Sequence, residues 1–432
     1  MMVLDTASTL GLSTIIRPGD TVVCAQGLSE PIALTSALTR QRTSIGRFTV
    51  WLGPTYADTF RCLHGDVIAF RSWCGTGGNS ALHAAGILEI VPAHYFELPR
   101  LFADGTLQSD VVLLSASEPD RDGRFNLGLA CDYVIEAARR ARAVIVEVSD
   151  RIPWVFGAEL PEDIRPTHLL RTGRMPLELD RSNIAASTEQ ERAIARNACS
   201  LVTDGATIAL GTGKLPELVL QSLRQHSDLG VHSGVIGEGI VDLVKAGVVS
   251  NTRKPIDTGV SVGGLLVGGP RLHEFAHRNP AVMLRSSSYT HDISVLREIP
   301  NFITLNGAIQ VDLTGQVNAE VLHGRYSGAV GGQVGFIRGA AASIGGVAAV
   351  MLSSSGQKGN VSRIVPRLDD GVVTTPRSDV DAVVTEWGVA RLRGKSLRQR
   401  AEALIAVAHP DLRDELACAV RNETASTRRS VQ

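Results

Sequence analysis

The sequence lacks any pair of cysteines placed to bind a metal or run a redox cycle. Its six cysteines, Cys24, Cys62, Cys74, Cys131, Cys199 and Cys418, lie far apart, with no Cys-x-x-Cys spacing and no clustered histidines. Buried free thiols are therefore expected, and no metal. It also lacks an excess of either charge. With 43 Lys+Arg against 44 Asp+Glu, the overall balance implies neither a nucleic-acid groove nor an anionic membrane as partner. No apolar run reaches the length of a membrane span, and the opening MMVLDTASTL has neither the basic region nor the apolar core of a signal peptide. A cytoplasmic protein is expected. What remains, in 432 residues that are 44% hydrophobic and 20% charged, is enough for two or three globular cores.

The most informative stretch runs from Asp204 to Gly239, DGATIALGTGKLPELVLQSLRQHSDLGVHSGVIGEG. It reads as an apolar strand (Thr207 to Leu210), a turn bearing Gly211 and Gly213, and a helix with Pro216 in its first turn. A second apolar run then ends at His232, Ser233 and Gly234. A strand that feeds a glycine turn and a helix N-terminus leaves backbone N–H groups facing open space, which suits an anion or a developing oxyanion. Packing alone also explains many such turns, so both readings stand at this point.

The same pattern occurs earlier. Set against GDTVVCAQGLSEPIALTSAL from Gly19, the later stretch matches with Gly19, Thr21, Gly27, Leu34 and Ser36 facing Gly205, Thr207, Gly213, Leu220 and Ser222. A second pairing sets Asp120, Gly123 and Asn126 against Asp312, Gly315 and Asn318, and a third sets AVIVEV (Ala143 to Val148) against AVVTEW (Ala382 to Trp387). Matches in one order predict two copies of an α/β unit, each an open, mostly parallel sheet covered by helices. The expected domains are 1–180 and 189–432, divided by RTGRMPLELDRSNIAAST (Arg171 to Thr188). In such folds ligands collect beyond the carboxyl ends of the strands, so a cleft between the copies is the expected site. Glycine-rich loops at Gly263 to Gly269, Tyr326 to Gly346 and Ser353 to Asn360, with Arg338, Lys358, Arg363 and Lys395 nearby, suit a phosphate-bearing ligand when taken as a set and surface turns when taken singly.

With SGAVGGQVGFIRGA, SRIVPRLDDGVVTTPRSDVDAVVTEWGVARLRGKS and AHPDLRDEL in view, the chain resembles the acetyl-CoA hydrolase and CoA-transferase family over nearly its whole length. The likeness is greatest to the 4-hydroxybutyrate and related short-chain acyl CoA-transferases. The resemblance implies two similar α/β domains with acyl-CoA between them, a homodimer, and a small carboxylic acid or another acceptor as second substrate. It further implies that Gly211, Thr212, Gly213, Lys214 and Leu215 run along the CoA thioester, with Asn306, Gly331 and Gly332 as further CoA contacts and Gly332 near the oxyanion donor. Arg71 and WCGTGGN (Trp73 to Asn79) resemble part of the acyl-side wall, where an arginine would pair with a second carboxylate.

Three departures fall in the same region. The family's nucleophilic glutamate, in a His-Ser-Glu sequence, corresponds to Gly234 after His232 and Ser233. The loop before GGQ carries both Ala329 and Val330 where one residue is usual, and an acid expected before Phe336 is Gly335. The replacement carboxylates are Glu30 and Glu238, each also readable as a helix-start acid, and Glu97 with less to support it, and His232 is a candidate general base also readable as a structural histidine. Two function classes follow. One is CoA-dependent acyl transfer through a displaced carboxylate or directly to an acceptor in the cleft; the other is a family member that keeps the acyl-CoA pocket as a binding protein or partner subunit.

Overall fold

The computed structural model describes residues 2–4, 10–179, 186–356, 361–368 and 372–429. Part of the expected linker and Lys358 of the expected phosphate loop lie outside the described residues. The first half forms an eight-stranded, wholly parallel sheet of β1 (Met2–Leu4), β2 (Thr21–Cys24), β3 (Phe48–Leu52), β4 (Ile68–Ser72), β5 (Leu88–Ile90), β6 (Val111–Ser117), β7 (Ala143–Ser149) and β8 (His168–Arg171). Its order is β1-β8-β7-β6-β2-β3-β4-β5. The sequence reason is visible in β2 and β7, whose residues are buried on both faces, as strands covered by helices on each side require.

The second half builds a six-stranded sheet in the order Gly230–Val231, Thr207–Leu210, Phe302–Gly307, Val347–Met351, Ala382–Thr385 and Gly388–Arg391. Only the last pair is antiparallel. Helix Glu189–Cys199 starts this half with a reciprocal cap: Thr188 Oγ1 accepts from Glu191 N (3.2 Å), and Glu191 Oε2 accepts from Thr188 N (2.8 Å). The mixed α/β class with large parallel sheets is as the sequence predicts. All six cysteines are free thiols; Cys24, Cys74 and Cys131 are buried, whereas Cys62 and Cys418 are exposed, contrary to expectation.

The internal duplication is visible atom by atom. Asp120 Oδ1 accepts from Asp122 N (3.0 Å) and Arg124 N (2.9 Å), and Asp312 Oδ1 accepts from Thr314 N (2.9 Å) and Gln316 N (3.0 Å). Each hairpin then turns through a left-handed glycine, Gly123 (φ 79°) or Gly315 (φ 96°). Each also ends on an asparagine whose Oδ1 takes the N–H two residues on, Asn126 with Gly128 and Asn318 with Glu320. The third sequence pairing does not survive. By sheet position, β7 corresponds to Val347–Met351, because both lie one strand beyond the strand that neighbours β2 or Thr207–Leu210. Short apolar runs buried on both faces are too alike for sequence to tell one from the next.

The two sheets share one core, which runs from Val23, Leu114 and Val146 to Ile208, Leu305 and Val384. Backbone joins the halves as well: Cys131 N donates to Gly264 O (2.9 Å), Arg278 N to Trp154 O (2.7 Å) and Leu284 N to Phe156 O (2.9 Å). Gly157 sits in this seam at φ 83°, and a β-carbon there would lie 2.1 Å from the Leu284 carbonyl oxygen. We expect Gly157→Ala to lower stability by about 1–3 kcal/mol through backbone strain and seam opening. Thermal unfolding checks this, and an unchanged melting temperature would show that the halves do not rely on the seam.

Candidate active site

The glycine turn forms as its sequence requires. Strand Thr207–Leu210 ends at Gly211, and Gly213 takes φ 117°, ψ −179° as the residue before helix Lys214–Ser222, a backbone state that side-chain-bearing residues avoid. A β-carbon on Gly211 or Gly213 would meet nothing within 4 Å, so open space lies over the helix N-terminus. Beside it is a pocket of about 210 Å³ lined by the apolar Leu210, Leu220, Val231, Val235, Ile240 and Val267 and the polar Thr212, Lys214, Glu217 and Ser233. Lys214 is held by an ion pair to Glu191 (2.9 Å) and a bond to Ala186 O (3.2 Å), and Leu215 is half-buried against the shared core. Asn306 lies at the carboxyl end of the middle strand, with its Nδ2 donating to Thr304 Oγ1 (2.8 Å).

Gly331 and Gly332 lead into helix Gln333–Ala342 and are stitched to the first half. Tyr95 N donates to Gly331 O (2.9 Å), and Gly75 N donates to Gly328 O (2.8 Å). Cys74 pairs with Ala329, so the expanded loop is seated on the WCGTGGN segment. Trp73 and Tyr95 pack with ring centroids 5.0 Å apart, and Tyr95 lies 5.5 Å from the ring of His291. Arg71 points elsewhere: it is half-exposed and bonds Glu89 (2.8 Å) on the neighbouring strand. Of the expected phosphate-binding cations, Arg338 is paired with Asp379 (2.8 Å).

The candidate catalytic side chains occupy separate neighbourhoods. Glu30 is buried and accepts from Thr35 Oγ1 (2.9 Å); burial foremost, with Glu147 nearby, raises its carboxyl above the usual range. Glu147, not Glu30, caps the following helix, accepting from Ala33 N (2.8 Å) and Leu34 N (3.2 Å). Glu238 opens helix Glu238–Lys245, and its carboxylate accepts from Gly269 N (2.7 Å), the residue before helix Pro270–Ala276. Glu97 is half-buried and lies 3.9 Å from Arg100. His232 is wholly buried, with Nε2 3.2 Å from Thr290 O. Burial first, then Lys254, depress its pKa to about 3, so the ring is neutral.

Three residues escaped the sequence reading. Tyr56, half-buried beside Gly27, reaches across to the Thr212 hydroxyl and so flanks the glycine turn from the first half. Glu217 puts a carboxylate on the pocket wall, its oxygens 2.8 and 2.7 Å from where β-carbons on Gly237 and Gly239 would stand. His291 is the third, and it packs beside several of the site's glycines. A β-carbon on Gly234 would lie 3.2 Å from its Cε1 and 3.3 Å from its Nε2, one on Gly332 2.2 Å from Nε2, and one on Gly335 3.3 Å from its Cβ. Phe336 packs on the ring at 4.1 Å between centroids. Nothing in SSYTHD marks this histidine as special; only the volume missing at the glycines hints at a neighbour that fills it.

Comparison with known proteins agrees with the fold. The acetyl-CoA hydrolase/transferase N-terminal domain matches residues 11–165, and the C-terminal domain of the same family matches residues 268–420. The glycine turn and Gly234 lie between these two matches. The chain is 41% identical over 333 residues to the 4-hydroxybutyrate coenzyme A transferase of Clostridium kluyveri, covering 77% of each. It is 34% identical over 415 residues to the succinyl-CoA:cyclohexane-1-carboxylate CoA transferase of Geobacter metallireducens, covering 95% of this chain and 93% of the other. Among solved structures, RipA from Yersinia pestis superposes with a TM-score of 0.90 at 33% identity, covering 98% of each chain.

The two buried histidines make a pH-dependent prediction. Burial foremost holds both His232 and His291 near pKa 3, whereas in the unfolded chain they titrate at about 6.5. Below that value the unfolded state binds protons that the folded state refuses, so their contribution falls as pH falls. Asp132, raised to about 6 by burial, acts in the opposite sense, as do Glu30 and Glu147, so the effect is read as a difference. The destabilisation caused by His232→Asn should shrink by about 2 kcal/mol between pH 7 and pH 5 in urea unfolding. A constant difference would mean that the ring is not held neutral.

Proposed function

The chain belongs to the acetyl-CoA hydrolase/transferase family, and from that premise we propose that it moves coenzyme A between a short-chain acyl-CoA and a small carboxylic acid at the seam between its two sheets. The carrying observation is the open glycine turn, Gly211 to Gly213, at a helix N-terminus beside an apolar pocket. Helix-end N–H groups suit the phosphates or carbonyls of acyl-CoA, and the apolar wall suits its alkyl parts. The relatives support the reading, since their names pair CoA with short or cyclic carboxylic acids. Acyl-CoA is the substrate that brings the coenzyme. Exchange of this kind keeps the thioester energy, because a carboxylate can be both attacking and leaving group and water need not take part.

In this reading Gly211, Thr212, Gly213, Lys214 and Leu215 lie along the carrier, while Asn306, Gly331 and Gly332 face the thioester from the neighbouring strand and loop. The Lys214 ammonium is satisfied by Glu191, so backbone N–H groups, more than this side chain, meet the anion. Wild-type protein should exchange label between an acyl-CoA and short-chain acids in a panel assay. Leu220→Trp, which fills the apolar pocket, should raise KM for acyl-CoA about tenfold or more, as the loss of about 1.4 kcal/mol of binding dictates. Tight CoA binding without exchange across the panel would replace the transferase reading with that of a binding protein, and an unchanged KM would remove the pocket from it.

A further inference from the structure

The pocket beside the glycine turn combines aliphatic walls with two charged side chains, Lys214 and Glu217. Ile208, Leu220, Val231, Val235 and Ile240 enclose most of its volume of about 210 Å³. Glu217 stands in the first turn of helix Lys214–Ser222, and its carboxylate lies against the start of helix Glu238–Lys245, where Gly237 and Gly239 present no side chain. Its oxygens are 2.8 and 2.7 Å from where β-carbons on those glycines would stand. A helix start favours a negative charge, so the carboxylate is held ionised on the pocket wall.

The other polar groups of the lining are already engaged. The Lys214 charge is offset by Glu191 at 2.9 Å, the Ser233 hydroxyl donates to Leu210 O (2.8 Å), and the Thr212 hydroxyl meets Tyr56. The arginines near Glu217 are not part of the lining. Arg271 bonds Asp242 (2.8 Å) and lies 3.8 Å from Glu238, and Arg224 lies 3.9 Å from Asp242, so the carboxylates of Glu217, Glu238 and Asp242 outnumber the guanidiniums beside them. Arg71, expected to pair with a second carboxylate of the substrate, is bonded to Glu89 instead.

Resting on the transferase reading above, we infer that this pocket takes the acyl chain, that it admits uncharged chains, and that Glu217 is the residue that turns dicarboxylic acyl groups away. A chain ending in carboxylate would bring a second negative charge against Glu217 between aliphatic walls, where repulsion is stronger than in water and the lining has no cation to spare. A terminal methyl group meets only the aliphatic walls, and a terminal hydroxyl can donate to Glu217. The selection works by repelling the wrong substrate, which leaves the contacts of the right one intact.

Butyryl-CoA and succinyl-CoA test this directly, because their acyl groups share a carbon backbone and differ in a terminal methyl against a terminal carboxylate. With one common acceptor acid, wild-type protein should favour butyryl-CoA in kcat/KM by about 100-fold or more. Glu217→Gln, which keeps the volume and removes the charge, should narrow that ratio about tenfold or more by raising kcat/KM for succinyl-CoA, a gain that a merely structural role would not give. Equal use of the two thioesters by wild type, or an unchanged ratio in Glu217→Gln, would overturn the inference and leave the transferase reading in place. Absence of exchange with every acyl-CoA of the panel would overturn both. Should the variant fail to fold by circular dichroism, the wild-type ratio decides alone.

Discussion

The short backbone stitch between Cys74–Tyr95 and Gly328–Gly331 is the constraint on which the site depends. Two main-chain hydrogen bonds, Gly75 N to Gly328 O and Tyr95 N to Gly331 O, fix a glycine loop of one half on an aromatic wall of the other. Glycine is needed where backbone meets backbone: a β-carbon on Gly75 would lie 2.2 Å from Tyr326 O, and one on Gly328 1.9 Å from Ala319 O. Buried strands and a shared core bring the halves near each other, but this stitch sets the orientation of Gly331 and Gly332 and hence of the helix they open.

Upon that frame, the glycines at 234, 332 and 335 act together. A side chain at 234 or 332 would run first into His291 and one at 335 first into Phe96, so neighbouring rings fill the space beside all three glycines. Core packing is close to crystalline, and volume given up in one place must be taken up nearby or left as a costly void. Here an imidazole takes it up. A carboxylate in the same space would bring charge into a region that already holds His232 and His291 as neutral rings, whose protonation burial opposes.

Much of the fold could be read from the chain, since it rests on local signals. Apolar runs such as Val111–Leu114 and turns such as Gly211–Gly213 carry their geometry in their own residues, and the Asp120 and Asp312 hairpins were matched by three residue types at one spacing. The site was legible in its glycines and opaque in its partners. Glu30 and Glu238 look free in sequence, yet Thr35 and Gly269 occupy them in space. Tyr56 and His291 reach the site from segments with no motif, through contacts that only tertiary packing creates. Arg71 was misplaced for the same reason: its partner Glu89 lies on the next strand, in a register that composition does not reveal.

The duplicated hairpins show how one local solution serves two ends. In the first copy, Asn126 Nδ2 donates to Val155 O (2.8 Å) and Oδ1 accepts from Val155 N (3.0 Å), which anchors the segment carrying Phe156 and Gly157 to the seam with Leu284. In the second, Asn318 Oδ1 accepts from Glu320 N and Val321 N (3.0 Å each), which anchors the loop that hands Ser327 and Gly328 back to Glu320 O (2.9 Å each). One copy thus holds the halves together far from Gly332, and the other sets the loop that leads into it. Because both use buried asparagines with their amide bonds satisfied, neither can be relaxed without leaving a polar group unpaired. The repeat therefore makes the seam rigid at two points, and a site built from both halves needs that rigidity if it is to meet its ligand without first reorganising.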